Sequence, residues 1–503
     1  MPRPRNLSPR IALPFAARFA CGLALIAPCP ASCAQSHSAP SSPVSTSSPS
    51  HFTPGSPLVR VGLMAWTSSR QITLRSVGGA RLTGADGEEI AAGLGPWNVV
   101  RSGAAYLISD AQNHTLGVLS DGSRWRLQCE NADGLLCLVS ERSSITHYRG
   151  AVEIGLRSGR LQIINEVALE TYLRGVVSRE MGRAPLEALK AQAVAARTYA
   201  VSHSGQWAAD GYDLRDTTDS QVYAGADGET ADSDAAIAAT TGAILMQNQK
   251  PIAAQFCADC GGAGVPDSDG ASVRDADAHG VNNPKPPGWS FTLLASRLLA
   301  LLHPTLKSSR PAPDTQNTAP KIPTPKPNEN DTLDPVAAYD PEVIVPPTPP
   351  PAVSTLDRIE ILSADASGRV LKMRYAYTLR TGTNSKTKSE KRQGEISGNA
   401  LRSLLGVNTL KSTLFIVEKN ESGNFIFTGR GWGHGHGLCQ TGAMALAAGP
   451  FHYDFRAILA RYYPAATVGQ LLYLEPESAA NEARTTSQTA ANLLQSEAKI
   501  GRR

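Results

Sequence analysis

At Pro185 the hydrophobic period of this 503-residue chain changes, and that change constrains the fold more than any other feature. Upstream, apolar residues alternate: Val59, Val61 and Leu63, then Ile72, Leu74 and Val77, then Val152, Ile154 and Leu156. After a Ser158-Gly159 turn the run resumes with Leu161, Ile163 and Ile164. Alternation sends every second side chain to one face, as half-buried strands require. Downstream, PLEALKAQAVAARTYAVSH opens on proline and continues in alanine. Proline suits the start of a helix and alanine is the best helix former. At about 100° per residue, Leu186, Leu189, Ala193, Ala196 and Ala200 share one stripe.

The ends and one internal stretch read differently. Residues 1–34 carry Arg3, Arg5, Arg10 and Arg18 with no acidic residue, then an apolar run over 11–26, then the small residues Ala31, Ser32 and Ala34. These are the parts of a secretory signal, with cleavage expected after Ala34. Pro14, Arg18 and Pro28 break a span already short for a bilayer, so no transmembrane anchor is expected after cleavage. The four leader arginines account for the whole formal charge of +4. The neutral remainder gives no electrostatic case for nucleic acid or an anionic membrane. Residues 35–56 are Ser/Pro-rich and read as a linker, and 305–352 as a Pro-rich disordered insertion. Residues 476–503 form a polar tail.

Eight cysteines are present, three of them (Cys21, Cys29, Cys33) in the leader. Cys129, Cys137, Cys257, Cys260 and Cys439 remain, an odd number. Cys129 and Cys137 bracket a short polar loop and are placed to clip a hairpin. Cys257-x-x-Cys260 leaves two readings open. One is a disulfide, for instance Cys260 with Cys439, which suits an oxidising compartment. The other is zinc, completed by Cys439, His434 or His279. The disulfide is preferred, and no cofactor is expected.

Two segments carry the chemistry: 165–203, NEVALETYLRGVVSREMGRAPLEALKAQAVAARTYAVSH, and 429–447, GRGWGHGHGLCQTGAMALA. YRG at 148–150, DTTDSQVYAG at 216–225, FCADCGG at 256–262 and the stretch 396–418 add ordered matches. Together they resemble the stage II sporulation protein D family, with its LytB-type amidase enhancers, over roughly 145–475 excluding the insertion. Some members of that family carry zinc. The resemblance assigns the catalytic role to Glu180, in Arg179-Glu180-Met181-Gly182, with Gly182 where the family commonly has proline. Read locally, LRGVV is an apolar strand, so Glu180 is expected in a strand-to-helix loop at a cleft edge. Val176, Val177 and Met181 would desolvate its carboxyl and raise its pKa.

Further substrate-binding candidates are Lys190, Gln192, Arg197, Gln221, Tyr223, Trp432, His434 and Gln440. Lys190 and Arg197, seven apart, share a helix face. There they either hold Glu180 or saccharide oxygens, or form a core salt bridge. Gln192 points to the opposite side. Trp432 offers an indole for a sugar face. His436 stands where the family has an aliphatic residue, and a His434/His436 metal pair is a minor alternative. The alternating glycines are not a nucleotide cradle, because no Lys-Ser/Thr follows them. Asp216 and Asp219 are the reserve acids.

The expected architecture is α+β: a mixed, mainly antiparallel β domain with an Ala-rich helix packed near the active-site loop, plus a small N-terminal β-module. The β-module is assigned to 57–141 and the main domain to 142–304 and 353–475. The resemblance implies an exported protein of the periplasm, cell envelope or exterior that acts on peptidoglycan glycan strands. Two functions stand. One is a lytic transglycosylase that leaves 1,6-anhydro-muramic ends, for which one carboxyl acting as acid and then base suffices. The other is a non-enzymatic enhancer with a cell-wall amidase as partner.

Overall fold

The alternating segments do form strands. In Gln71–Val77, for example, Ile72, Leu74 and Ser76 point inward while their neighbours face out. A computed structural model describes residues 56–264, 288–302, 355–381 and 388–473. The leader, the linker up to residue 55, the insertion at 305–352 and the tail at 476–503 lie outside the described residues. A seven-stranded sheet runs in the order Leu214–Arg215, Leu58–Gly62, Arg160–Ala168, Ala151–Arg157, Arg124–Cys129, Ala80–Thr83, Glu89–Gly93. A six-stranded sheet runs Ile145–Tyr148, Leu135–Ser140, Gln71–Val77, Trp97–Ser102, Ala105–Ser109, Thr115–Leu119. Both contribute to one apolar core, for instance Val61, Leu82, Leu127 and Ile154 from the first and Ile72, Val99, Ile108 and Leu138 from the second.

This corrects the expected boundary between 141 and 142. Leu58–Gly62 pairs antiparallel with Arg160–Ala168, Leu58 opposite Ala168 and Gly62 opposite Ile164, and parallel with Leu214–Arg215. Strands from both sides of the boundary are therefore neighbours in one sheet, and 57–141 is not a separate module.

Helix α1 (Leu169–Met181) follows the strand Arg160–Ala168 directly, and α2 (Leu186–Ser202) follows Pro185. The stretch read as strand, LRGVV, is helical. Leu169, Tyr172, Leu173, Val176 and Val177 are buried at spacings of three and four, which only a helix brings to one face. Gly182 closes α1 at φ 62°, a value closed to proline, whose ring holds φ near −65°. Along α2, Ala188, Leu189 and every residue from Ala191 to Ala200 are buried, so the helix is enclosed on all sides, while Leu186 is exposed. Around it lie α3 (Ala231–Ala238), α6 (Gln440–Ala448), α7 (Phe455–Tyr462) and the strand Ala243–Gln247.

A second apolar cluster is built from the strands Gly288–Leu293, Thr355–Ala364, Val370–Thr381, Lys388–Ser397, Phe415–Lys419 and Phe425–Arg430, with α4 (Ala295–Leu302) and α5 (Gly398–Leu405). The strand pairs are antiparallel apart from Leu58–Gly62 with Leu214–Arg215 and Phe256–Cys257 with Leu438–Cys439. The fold is α+β and mainly antiparallel, as expected. No described helix is long and apolar enough to cross a membrane.

Candidate active site

Because α1 is a helix up to Met181, Glu180 stands in its last turn rather than in a loop. Its carboxylate accepts the Val222 backbone N–H at 2.8 Å and the Gln440 side-chain amide at 3.4 Å. Gln440 opens α6, and the same amide nitrogen lies 3.5 Å from Gln192 Oε1 on α2. The loop carrying Val222 is pinned by Tyr223 N–H to Asp216 O at 3.1 Å. Three helices and one loop therefore meet at this carboxyl, which is only partly buried. Burial raises its pKa, while the Val222 N–H, the Gln440 amide and Arg179 pull it down, with a net upward shift. The negative end of the α1 dipole acts in the same upward direction.

Gln192 and Gln221 have no solvent exposure, yet Gln192 Nε2 and Gln221 Oε1 have no hydrogen-bond partner among the described residues. Gln221 Nε2 donates to Tyr172 Oη at 3.4 Å and Ala196 O at 3.3 Å. Asp216 was a reserve candidate, and burial pushes its carboxyl up to about 7. Its Oδ1 accepts the Met64 N–H at 2.9 Å. A carboxyl with a raised pKa can give a proton near neutrality and take one back.

Three candidates have structural work instead. Arg197, wholly buried, binds Glu170 through Nε and Nη2, both at 2.7 Å, and reaches Ala243 O at 3.0 Å. It faces away from Glu180 because a buried guanidinium must find its counter-ion inside the core. Lys190 pairs with Glu187 at 2.6 Å, one helical turn away. Tyr223 is buried, donates its hydroxyl to Asn165 Oδ1 at 2.8 Å and packs on Gly175. Gln192, expected on the opposite side from Lys190 and Arg197, is the α2 residue that reaches the site.

Trp432 and His434 stand on the loop that leads through the strand Leu438–Cys439 to Gln440, and neither hydrogen-bonds Glu180. Trp432 is 45% exposed, with Lys411 Nζ 4.8 Å from its ring centre. His434 Nδ1 accepts the His436 N–H at 3.1 Å, which leaves Nε2 as the ring nitrogen outside that bond. The Val222 donor was missed because a backbone N–H leaves no mark in sequence. An open recess of about 790 Å³ on the six-stranded sheet, lined by Arg70, Arg101 and Glu141 among others, shares no lining residue with this cluster.

All five described cysteines are thiols, so neither the Cys129–Cys137 clip nor the Cys260–Cys439 bridge is formed. The donor atoms of Asp259, Cys260 and Cys439 nevertheless lie within 4.8 Å of one another. Asp259 stands in this group where Cys257 was expected. Cys439 Sγ already accepts the N–H groups of Cys260 at 3.3 Å and Gly442 at 3.4 Å, capping α6. Among the described residues three donors are one short of a closed structural zinc site, and His279 lies outside those residues.

The class this defines is an α+β domain wrapped round a buried Ala-rich helix, with one helical carboxyl held by amide donors. The stage II sporulation protein (SpoIID) family model matches residues 157–247, which contain α1, α2 and Glu180. A second model, a domain of unknown function, matches 346–437. The chain is 29% identical over 307 residues to the amidase enhancer of Bacillus subtilis, covering 59% of this chain and 40% of that protein. It is 28% identical over 314 residues to an uncharacterised protein of Brachyspira hyodysenteriae, covering 60% of this chain and 66% of that one. It thus spans less than two thirds of either relative.

Proposed function

We propose that the protein remodels peptidoglycan outside the cytoplasm, as a lytic transglycosylase with Glu180 as its single acid and base. The observation that carries this reading is a carboxyl raised by burial, still partly open to solvent, and held by Val222 and Gln440. Protonated Glu180 gives its proton to the glycosidic oxygen as that bond to muramic acid C1 breaks. The carboxylate then takes the proton of the muramic 6-hydroxyl while its oxygen bonds to C1. A 1,6-anhydro ring closes, no water is consumed, and Glu180 ends protonated again. A second reading, an enhancer of a cell-wall amidase, is favoured by the name of the Bacillus subtilis relative.

The test is incubation of the full mature chain with glycan strands stripped of peptide, followed by a search for anhydro-muramic products. Glu180→Gln keeps size and hydrogen bonding but not the ionisable proton. It should lower cleavage about a hundredfold or more, the usual scale of acid–base catalysis. In the wild type, cleavage should fall as pH rises through the raised pKa of Glu180, because the acid is lost. No anhydro product from the wild type, with amidase stimulation intact in Glu180→Gln, would establish the enhancer instead.

A further inference from the structure

The loop Gly431–Gly437 lies on an arginine that has no counter-ion among the described residues. Arg369 is 2% exposed, and Nη2 donates to Cys260 O at 2.8 Å, but Nε and Nη1 have no hydrogen-bond partner among the described residues. The guanidinium lies directly under Gly435, where a Cβ would overlap it, so only glycine lets the loop rest there. Arg402 on α5 donates Nε to Leu410 O at 3.0 Å and Lys411 O at 3.2 Å. Lys411 O also accepts the Gly433 N–H at 2.9 Å, which ties Arg402 to the same loop. Burial and the nearby Arg369 push Arg402 down to about 10. Lys411 itself lies over Trp432.

Two carboxylates are near. Asp365 Oδ1 is taken up within its own turn by the Ser367 N–H, the Ser367 hydroxyl and the Arg369 N–H. Asp259 Oδ1 accepts the Gly261 N–H. Among the described residues neither forms an ion pair with Arg369, Arg402 or Lys411. Buried cations are ordinarily paired, because an unpaired one is costly. A field from such charges, acting through low-dielectric protein, favours an anion at the surface above them.

We propose that the Gly-His-Gly-His-Gly loop, over Arg369 and beside Arg402 and Lys411, binds a carboxylate of the glycan substrate. The inference deepens the proposed function and rests on it. Carboxylates are the anionic groups peptidoglycan offers, either the lactyl carboxylate freed when a stem peptide is removed or the carboxylates of a stem peptide still attached. Trp432, exposed next to this charge, gives the sugar carrying the carboxylate an apolar face to stack on. His436, also exposed, borders the same surface.

Calorimetry on the full chain, with Glu180→Gln blocking turnover, separates the cases. Three ligands are compared: a chitooligosaccharide without carboxylate, a peptide-free glycan oligomer of equal length, and a peptide-bearing one. At low salt one of the carboxylate ligands should bind about tenfold or more tighter than the chitooligosaccharide, the scale of one hydrogen bond to a charged group. Which of the two does so identifies the source. Arg369→Met should abolish the preference while leaving chitooligosaccharide affinity in place. If that variant does not fold, Lys411→Met with His436→Gln, both at the surface, should reduce the preference. Equal affinity for all three ligands, or a preference that survives these substitutions, overturns the carboxylate site alone. Binding of no glycan at all overturns the proposed function and this site with it.

Discussion

A carboxyl whose burial outweighs the pull of its neighbours is a standing cost, and Asp216 shows where it would be felt. Its ordinary value is 3.8, and burial raises it to about 7 against the pull of the Met64 N–H, its own backbone N–H and Arg215. Between those two values the folded chain keeps a proton that the unfolded chain has released. This contribution to stability is therefore fully present below about pH 4 and is lost as pH rises through about 7. Asp216→Asn cannot titrate, so its melting temperature should decline less than that of the wild type between pH 4 and 7. The difference between the two curves is the readout, since Glu180, shifted the same way, contributes to both. Equal declines would show that Asp216 is better solvated than its surroundings imply.

At the scale of elements, the α1–α2 pair holds the site, and its own clamp is the ion pair between Arg197 and Glu170. Glu170 also accepts the Gly242 N–H at 3.3 Å and bonds the Tyr473 hydroxyl. Removing only the cation leaves this carboxylate buried and uncompensated. Arg197→Met should cost about 3–5 kcal/mol in chemical denaturation, and adding Glu170→Leu should recover much of it. A loss below about 1 kcal/mol would mean that water reaches the pair. The two helices were not equally legible. The one beginning at Leu186 announces itself through Pro185 and its alanines, for which few other structures compete. In α1, Val176 and Val177 favour a strand by propensity, and packing against the core overrides that preference. The same error put Glu180 in a loop. Lys190, Arg197 and Gln192 illustrate a related limit: helical angle correctly separates Gln192 from the other two, but not which face meets the site.

On the scale of the whole molecule, the boundary at 142 failed for a physical reason. Strand pairing between residues a hundred or more apart leaves no local signal, and alternation in 57–141 is equally compatible with a separate module or with part of a larger sheet. Here Leu58–Gly62 is an interior strand, bonded to Arg160–Ala168 on one side and Leu214–Arg215 on the other. Ala151–Arg157 likewise bonds Arg124–Cys129. A chain beginning at residue 142 would bare the edge of Arg160–Ala168 and lose Val61, Leu63, Leu82 and Leu127 from the core. Such an edge is a template for pairing with other chains. The truncated chain should therefore aggregate and show no cooperative melt, whereas one beginning at residue 56 should melt as a single unit. Circular dichroism with light scattering distinguishes them. A monomeric, cooperatively folding chain from 142 would restore the N-terminal strands to the status of a separate module. It would also mean that the α1–α2 pair, and Glu180 with it, can be held by the remaining sheet alone.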